Sequence, residues 1–199
     1  MSNATTKVLR RRGWGPGYGL EQVQAVQAKG GEEMIPIPQP PTDPEVVMQT
    51  CNSFTFESFT VEDAWELGHL LYARLIPNAK KQPSLISITL ASSGQTLFQA
   101  CVGSTVIDNE NWIRRKRNVV QRWNRSSWWA NCFWKGDEEK FRKLFSLSPE
   151  QSSQYAIHGG AVPIRVAGVE GIVAVVGVSG MSQEDDHGVI VDVINTHWE

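Results

Sequence analysis

The clearest helical pattern in the chain begins at Thr60. Apolar residues recur three and four positions apart from there to Leu75, which predicts an amphipathic helix that ends near Pro77. Thr60 and Asp63 have the spacing of a capping box, in which each residue satisfies a free amide at the start of the helix. We therefore expect this helix to begin directly after Thr60.

Alternating and β-branched segments predict two antiparallel hairpins. The first pairs residues 85–90 with 96–102 across a Ser-Ser-Gly-Gln turn, and the second pairs residues 161–166 with 172–178. Pro163 has no amide hydrogen, so its strand lies at a sheet edge or its nitrogen faces away from a partner.

Two further helices complete the pattern. One is predicted to start with Asp108 as its N-cap and to run to about Trp123. The other starts near Ser182 and has an apolar face made of Val189, Ile190, Val193 and Ile194. An aromatic and charged insertion, residues 126–147, has a helical turn at 137–145. The order helix, hairpin, helix, insertion, hairpin, helix predicts an α+β domain with one antiparallel sheet flanked by helices.

The first fifty residues have a different character. Residues 13–19 are rich in glycine and residues 34–44 are rich in proline, with short helical pieces expected at 20–28 and 43–49. We expect residues 1–50 to be an N-terminal arm, partly disordered or docked on a neighbouring subunit. Residues 51–199 form the single domain.

Composition narrows the functional classes. The 199 residues carry 19 basic and 21 acidic side chains, so the net charge of −2 makes nucleic-acid binding unlikely. The three cysteines form no C-x-x-C pair, which argues against a disulfide framework and a zinc site. No secretory leader or membrane-spanning apolar run is visible, so we expect a cytoplasmic protein without a membrane span.

The predicted helix 108–123 has two unlike faces. Its outer face carries a basic stripe made of Arg114, Arg117, Gln121 and Arg125, flanked by Arg115 and Arg122. Its inner face collects Trp112, Val119, Val120 and Trp123, with Lys116 among them. Lys116 either lays its stem on the core and extends its ammonium to solvent, or it stands at the wall of a pocket.

A second group of polar residues flanks the second hairpin. His158, Gly159 and Gly160 precede its first strand, and residues 179–187 join its last strand to the C-terminal helix. Glycines allow close backbone approach, and a helix N-terminus can hold an anion. The alternative is that Glu184, Asp185 and Asp186 only complement the helix dipole. No metal-ligand spacing is present, so we expect no metal site.

Tryptophan is frequent, with eight copies. Four of them follow or end the basic helix: Trp123, Trp128, Trp129 and Trp134. Bunched tryptophan and arginine are enriched at protein interfaces, and their composition also resembles that of single-strand nucleic-acid binders. We expect these four tryptophans at a subunit interface.

Several of these segments resemble one family. They are residues 54–68, Asp108-Asn-x-x-Trp-Ile-x-Arg-Lys116, Ser126-Ser127, Tyr155-Ala-x-His-Gly-Gly-Ala161 and Ser179-Gly-x-x-Gln-Glu-Asp-Asp-His187. In this order they are similar to an uncharacterised short branch of the GlcG/HbpS-like family, also called the haem-degrading domain family. The resemblance covers roughly residue 51 to the C-terminus.

The resemblance implies a profilin-like α+β fold assembled into homo-oligomers, but it implies no settled activity. Some relatives bind or slowly degrade haem, others are linked to glycolate or diol metabolism, and a fungal relative is associated with the handling of tail-anchored membrane proteins. The positions that match the family's pattern form the candidate ligand site: Trp112, Arg115, Lys116, His158, Gly159, Gly160, Asp186 and His187.

Three functions follow as hypotheses. The first is a homo-oligomeric protein that binds a small anionic or planar ligand near Lys116 and His158, with haem as a candidate cofactor held by His158 or His187. The second is an enzyme that uses Lys116, His158 and Asp186 for acid–base or Schiff-base chemistry. The third is a protein-interaction scaffold or chaperone-like factor that acts on tail-anchored proteins.

Overall fold

A mixed six-stranded sheet forms the centre of the protein. The computed structural model describes residues 7–30 and 34–199. The strands are β1 (Val8–Leu9), β2 (Phe54–Phe56), β3 (Ser84–Leu90), β4 (Thr96–Val102), β5 (Ala161–Val166) and β6 (Ala174–Ser179), in the spatial order β1-β2-β5-β6-β3-β4. The α+β prediction is confirmed.

The antiparallel prediction holds for four of the six strands. Strands β5, β6, β3 and β4 are antiparallel neighbours, whereas β1 and β2 add to β5 in parallel. The sequence pattern did not reveal β1 or β2, because strands of two and three residues are too short to show alternation. Pro163 lies in an interior strand, so the first of its two alternatives, an edge strand, is excluded. Its pairing with β2 begins one residue later, at Ile164.

Eight α-helices surround the sheet. They are α1 (Tyr18–Ala28), α2 (Pro44–Thr50), α3 (Val61–Leu75), α4 (Ile107–Trp123), α5 (Ser127–Trp134), α6 (Glu138–Leu144), α7 (Pro149–Ser152) and α8 (Gln183–His197) within the described residues, and a 3₁₀ turn (Ile76–Asn78) follows α3. The Thr60–Asp63 capping box and the Ser182 cap are confirmed. Asp108 is not the N-cap of α4. Val106 holds that position, and its amide donates to Asn109 Oδ1 at 2.9 Å.

The two faces of β6 contact different helices. Val176 and Val178 belong to the main core with residues of α3 and α8, including Leu67 and Ile190. Val175 packs with Val120 of α4 and Ala161 of β5. The sheet therefore lies between α3 and α8 on one face and α4 on the other.

The described part of the N-terminal arm packs on its own chain. Leu9 is buried in the main core, and Arg10 exchanges two backbone hydrogen bonds with Glu199. The segment near Pro38 crosses α8 at Gly188, where an added Cβ would lie 2.4 Å from the Pro38 oxygen. Docking on a neighbouring subunit is not needed to bury these residues.

Candidate functional site

A buried ion pair joins α4 to α8 beneath the end of β6. Lys116 Nζ lies 2.8 Å from Asp186 Oδ2 and 3.3 Å from the Val178 carbonyl oxygen. Both side chains are almost fully enclosed, with 4% and 3% of their surfaces exposed. The Lys116 ammonium is therefore held inside the protein at the edge of a cavity, and of the two sequence alternatives only the pocket-wall placement is compatible with the structure.

Gly160 leaves room for this pair. Its φ is +111°, and a Cβ at this position would lie 2.5 Å from the Val178 oxygen and 2.7 Å from Lys116 Nζ. Any side chain would collide with the ion pair and strain the backbone. Position 160, which was singled out from the sequence, therefore requires glycine, because the Val178 oxygen and Lys116 Nζ lie so close to its backbone.

Asp186 is held by more than one donor. Its Oδ1 accepts from the Met181 amide at 3.0 Å while Oδ2 accepts from Lys116. Burial raises the pKa of Asp186 above its ordinary value, and the neighbouring Lys116 charge and the backbone amides oppose that rise. The donor arrangement suits the carboxylate form.

A cavity of about 290 Å³ opens above the ion pair. It is lined by Val106, Asp108, Asn109, Trp112, Lys116, His158, Ser179, Gly180, Met181, Gln183 and Asp186. The Trp112 indole forms one wall, donates to Asp108 Oδ2 at 3.1 Å and meets the His158 ring edge to face at 5.1 Å. The cavity thus has an aromatic wall, a charged floor and a polar rim.

His158 stands at the rim as a neutral imidazole at neutral pH. Burial lowers the pKa of His158 below its ordinary value, and the nearby Lys116 and Arg115 charges add to the effect, while Glu138 opposes it. Its Nδ1 lies 3.5 Å from Glu138 Oε1, too far and too poorly aligned for a hydrogen bond.

Four predicted residues line this cavity, and the others lie around it. Trp112, Lys116, His158 and Asp186 share its wall. Gly159 and Gly160 lie behind it, against the Gln183 carbonyl and the ion pair.

Arg115 turns toward a neighbouring cavity of about 270 Å³. Its guanidinium lies 4.7 Å from the centre of the Trp112 ring. The same group donates to the backbone carbonyl oxygen of Tyr155 at 3.1 Å. The guanidinium therefore supports Trp112 from behind and does not enter the cavity above Lys116.

His187 is not brought to the cavity. Its ring is completely buried, and Nε2 donates to the Cys51 oxygen at 3.1 Å. Burial lowers the pKa of His187 to about 3. Because it follows Asp186 directly on α8, the helix turn of about 100° directs it toward α2.

Three polar residues that line the cavity were not among the candidate site residues identified from the sequence: Asn109, Ser179 and Gln183. Asn109 Nδ2 donates to the Ser179 oxygen at 3.2 Å and so ties the start of α4 to the end of β6. All three lie within segments that match the family, Asn109 in Asp108-Asn and the other two in Ser179-Gly-x-x-Gln, and that match was the available signal.

The four tryptophans expected at an interface have partners within the chain. Trp128 is 2% exposed and donates to the Pro41 oxygen of the arm. Trp123 and Trp134 pack with Phe141 and Phe145 in a second aromatic core. Trp129 stacks on a half-exposed Phe133. Trp128 is therefore covered by its own chain, while the other three remain half-buried.

Three of the four residues expected to hold haem do not fit that role, and of the two candidate axial ligands only His158 lies at the cavity. A cavity of about 290 Å³ lies at the lower limit of small-molecule pockets. The cations expected to meet propionates are already engaged, Lys116 by Asp186 and Arg115 by the Tyr155 carbonyl. His187 is sealed from the cavity. Over residues 7–30 and 34–199, no cluster of three His, Cys, Asp or Glu side chains is placed to hold a metal ion.

The fold and this site define an α+β domain with a ligand-sized cavity, and the sequence assigns it to a family. Residues 59–195 match the model described as haem degrading protein HbpS-like, so the chain belongs to the HbpS-like family.

Individual relatives agree with this assignment. A UPF0303 protein of Streptomyces avermitilis is 36% identical over 78% of this chain and 90% of its own. A UPF0303 protein of Acidobacterium capsulatum is 36% identical over 76% of this chain and 87% of its own. The crystal structure of the Ybr137w protein covers 76% of this chain and 83% of its own, at 30% identity and a TM-score of 0.65.

No helix in the described part of the chain combines the length and the apolar character needed to cross a membrane.

Proposed function

We propose that this protein binds a small polar molecule in the cavity above the Lys116–Asp186 pair. The supporting observation is the hydrogen-bond count at Lys116 Nζ. An ammonium has three hydrogens, and Asp186 and the Val178 carbonyl accept two of them. The third is available to an acceptor in the cavity.

The lining indicates the ligand's chemical class. Trp112 and Met181 offer apolar surface, while the Asn109 and Gln183 amides offer polar contacts at the rim. Because Asp186 already balances the Lys116 charge, the floor favours a carbonyl or a single carboxylate over a multiply charged anion. A compact planar carboxylate or amide fits both the volume and the aromatic wall.

A second candidate, acid–base catalysis, is favoured by His158. An imidazole at the rim whose pKa is lowered by burial and whose side chain is 35% exposed has the protonation state of a general base. Schiff-base chemistry at Lys116 is less favoured, because an amine that donates to Asp186 and Val178 has no lone pair directed at a carbonyl carbon.

Assembly into homo-oligomers in the cytoplasm is part of the same proposal. Val106, which lines the cavity, and its chain neighbour Ile107 are 66% and 77% exposed. A subunit contact there would shield both side chains and help to close the cavity. Sedimentation of Ile107→Ser against wild type tests this, and an unchanged mass would contradict a contact at this position.

Ligand binding is tested by calorimetry with acetate, pyruvate, benzoate and benzamide as probes. We expect saturable binding of at least one planar probe, lost in Asn109→Ala/Gln183→Ala and retained in Lys81→Met, which changes an exposed lysine elsewhere. Binding that is absent for every probe, or equal in both variants, would overturn the proposal. Turnover lost in His158→Gln with binding intact would favour the catalytic candidate.

A further inference from the structure

Five arginines form one surface on and beside the outer side of α4, which we call the arginine face. They are Arg114, Arg117, Arg122, Arg125 and Arg165. Arg114 and Arg122 are eight residues apart on α4, so the helical part of the face extends about 12 Å along the helix axis, and Arg125 follows just after the helix ends. It lies on the opposite side of α4 from the Lys116 cavity.

None of these five arginines forms an ion pair with a carboxylate of the described chain. Their hydrogen-bond acceptors are uncharged: Arg114 donates to Gln154, Arg122 to the Tyr155 hydroxyl, and Arg165 to the Gly171 and Asn124 carbonyls. Four arginines elsewhere pair with acids, as Arg11 does with Asp63 and Arg74 with Asp192. The arginine face is therefore a segregated positive surface on a chain whose net charge is −2.

The positive charges also repel one another. Burial lowers the pKa of Arg117, and the Arg114 charge adds to that effect. The pKa of Arg165 is lowered in the same way by burial and by Arg125. Arg117 Nε is buried without a hydrogen-bond partner. An anionic partner on the exposed parts of these side chains would relieve the repulsion.

We propose that the arginine face binds an acidic peptide segment of a partner protein. Single-stranded nucleic acid is the less suitable occupant, because it needs free aromatic planes beside the phosphate contacts. The aromatic planes here are already used: Trp129 stacks on Phe133, and Arg122 covers both Trp123 and Tyr155. Guanidinium groups without adjacent free rings suit carboxylates.

The test measures fluorescence anisotropy of a labelled Glu-Ser repeat peptide with the full-length protein at low ionic strength. Arg117→Gln/Arg125→Gln removes two of the five charges, neither of which pairs with a carboxylate of the described chain, and we expect it to weaken binding about tenfold. The matched control Lys80→Gln/Lys81→Gln removes the same charge from another exposed site. It should bind within about twofold of wild type, and rising salt should weaken wild-type binding.

Two further measurements separate the loss of charge from a loss of folding, and a peptide partner from a nucleic acid. Arg117→Lys/Arg125→Lys preserves the charge and should bind within about threefold of wild type, even if the glutamine variant folds poorly. An oligothymidylate of equal total charge should bind more weakly than the peptide.

The proposal is overturned if the peptide does not bind, if the two glutamine variants lose binding equally, or if the oligothymidylate binds more tightly. A wild-type oligomer that dissociates in Arg117→Gln/Arg125→Gln would make the face a self-interface and would also overturn it.

Discussion

Two buried carboxylates near helix N-termini show how a similar sequence feature leads to different structures. Asp63 is the third residue of α3 and Asp186 the fourth of α8, and each pairs with a basic residue distant in sequence. The partner of Asp63 is Arg11, whose side chain is 25% exposed. The partner of Asp186 is Lys116, whose side chain is 4% exposed.

The two ion pairs differ in how much water their side chains contact. Arg11 retains contact with water, and Asp63 is also satisfied by the Thr60 amide and hydroxyl, so neither charge depends wholly on the other. Lys116 and Asp186 are both removed from water, and each would be an unbalanced buried charge alone. The first pair attaches the arm to α3, whereas the second forms the charged floor of a cavity.

The largest expected effect comes from removing one partner of the buried pair. Lys116→Met leaves the Asp186 charge uncompensated, and we expect the free energy of unfolding to fall by about 3–5 kcal/mol. Urea denaturation measures it. The double variant Lys116→Met/Asp186→Leu should recover much of the loss, and a double loss equal to the sum of the single losses would contradict the pairing.

The space around the pair is tested next. Gly160→Ala forces a Cβ toward Lys116 and Val178 at a φ that L residues disfavour, with an expected cost of about 2–3 kcal/mol. Gly168→Ala is the control, since Gly168 also has positive φ but no atom within 4 Å of an added Cβ. It should cost about 1 kcal/mol. Equal thermal shifts for the two variants would show that crowding near Lys116 is unimportant.

The pH dependence of stability tests the burial of His187, which follows Asp186 on α8. The folded pKa of His187 is about 3, below the 6.5 of a free imidazole, so the unfolded chain takes up a proton first as pH falls. The contribution of the buried, neutral His187 to the free energy of unfolding is complete above about pH 6.5. It should decrease by roughly 2 kcal/mol between pH 7 and 5. Urea denaturation at both pH values measures the change.

The matched variants isolate that contribution. His187→Gln should lose this part of the pH dependence, and His197→Gln, which alters a half-buried imidazole, should lose less. Asp186 acts in the opposite direction, since its raised pKa favours the folded state at acid pH. An unchanged pH slope in His187→Gln would show that the imidazole is hydrated.

The smallest effect is expected at the partly hydrated pair. Arg11→Met should cost about 1 kcal/mol, because Arg11 is partly exposed and Asp63 keeps its Thr60 donors. Faster proteolysis near the N-terminus should accompany it if Arg11 attaches the arm. A loss as large as that of Lys116→Met would remove the distinction between the two carboxylates.

The sequence indicated more of the fold than of the site. The 61–75 helix, both hairpins and the apolar face of α8 followed from spacing, because those segments are long enough to show a period. The arm's attachment, and strands β1 and β2, did not follow, because they depend on contacts such as Arg11 with Asp63.

The candidate site was recovered in part for a similar reason. Lys116 was visible as a charge on an apolar face, and Gly160 as part of a glycine turn. His187 points away from the cavity because of its angular position on α8. Trp128 is covered because the Pro41 segment, distant in sequence, lies against it. Local sequence does not encode either of these.

By itself, the sequence determined the longer helices, the two hairpins and the position of one lysine on an apolar helix face. It also placed the basic stripe on the other side of that helix. Only the tertiary structure decided that Lys116 pairs with Asp186, seventy residues away, and that the arginine face has no acidic partner in its described surroundings. Local periodicity fixes which way a side chain points along its own element, but a charge partner depends on which elements the fold brings together.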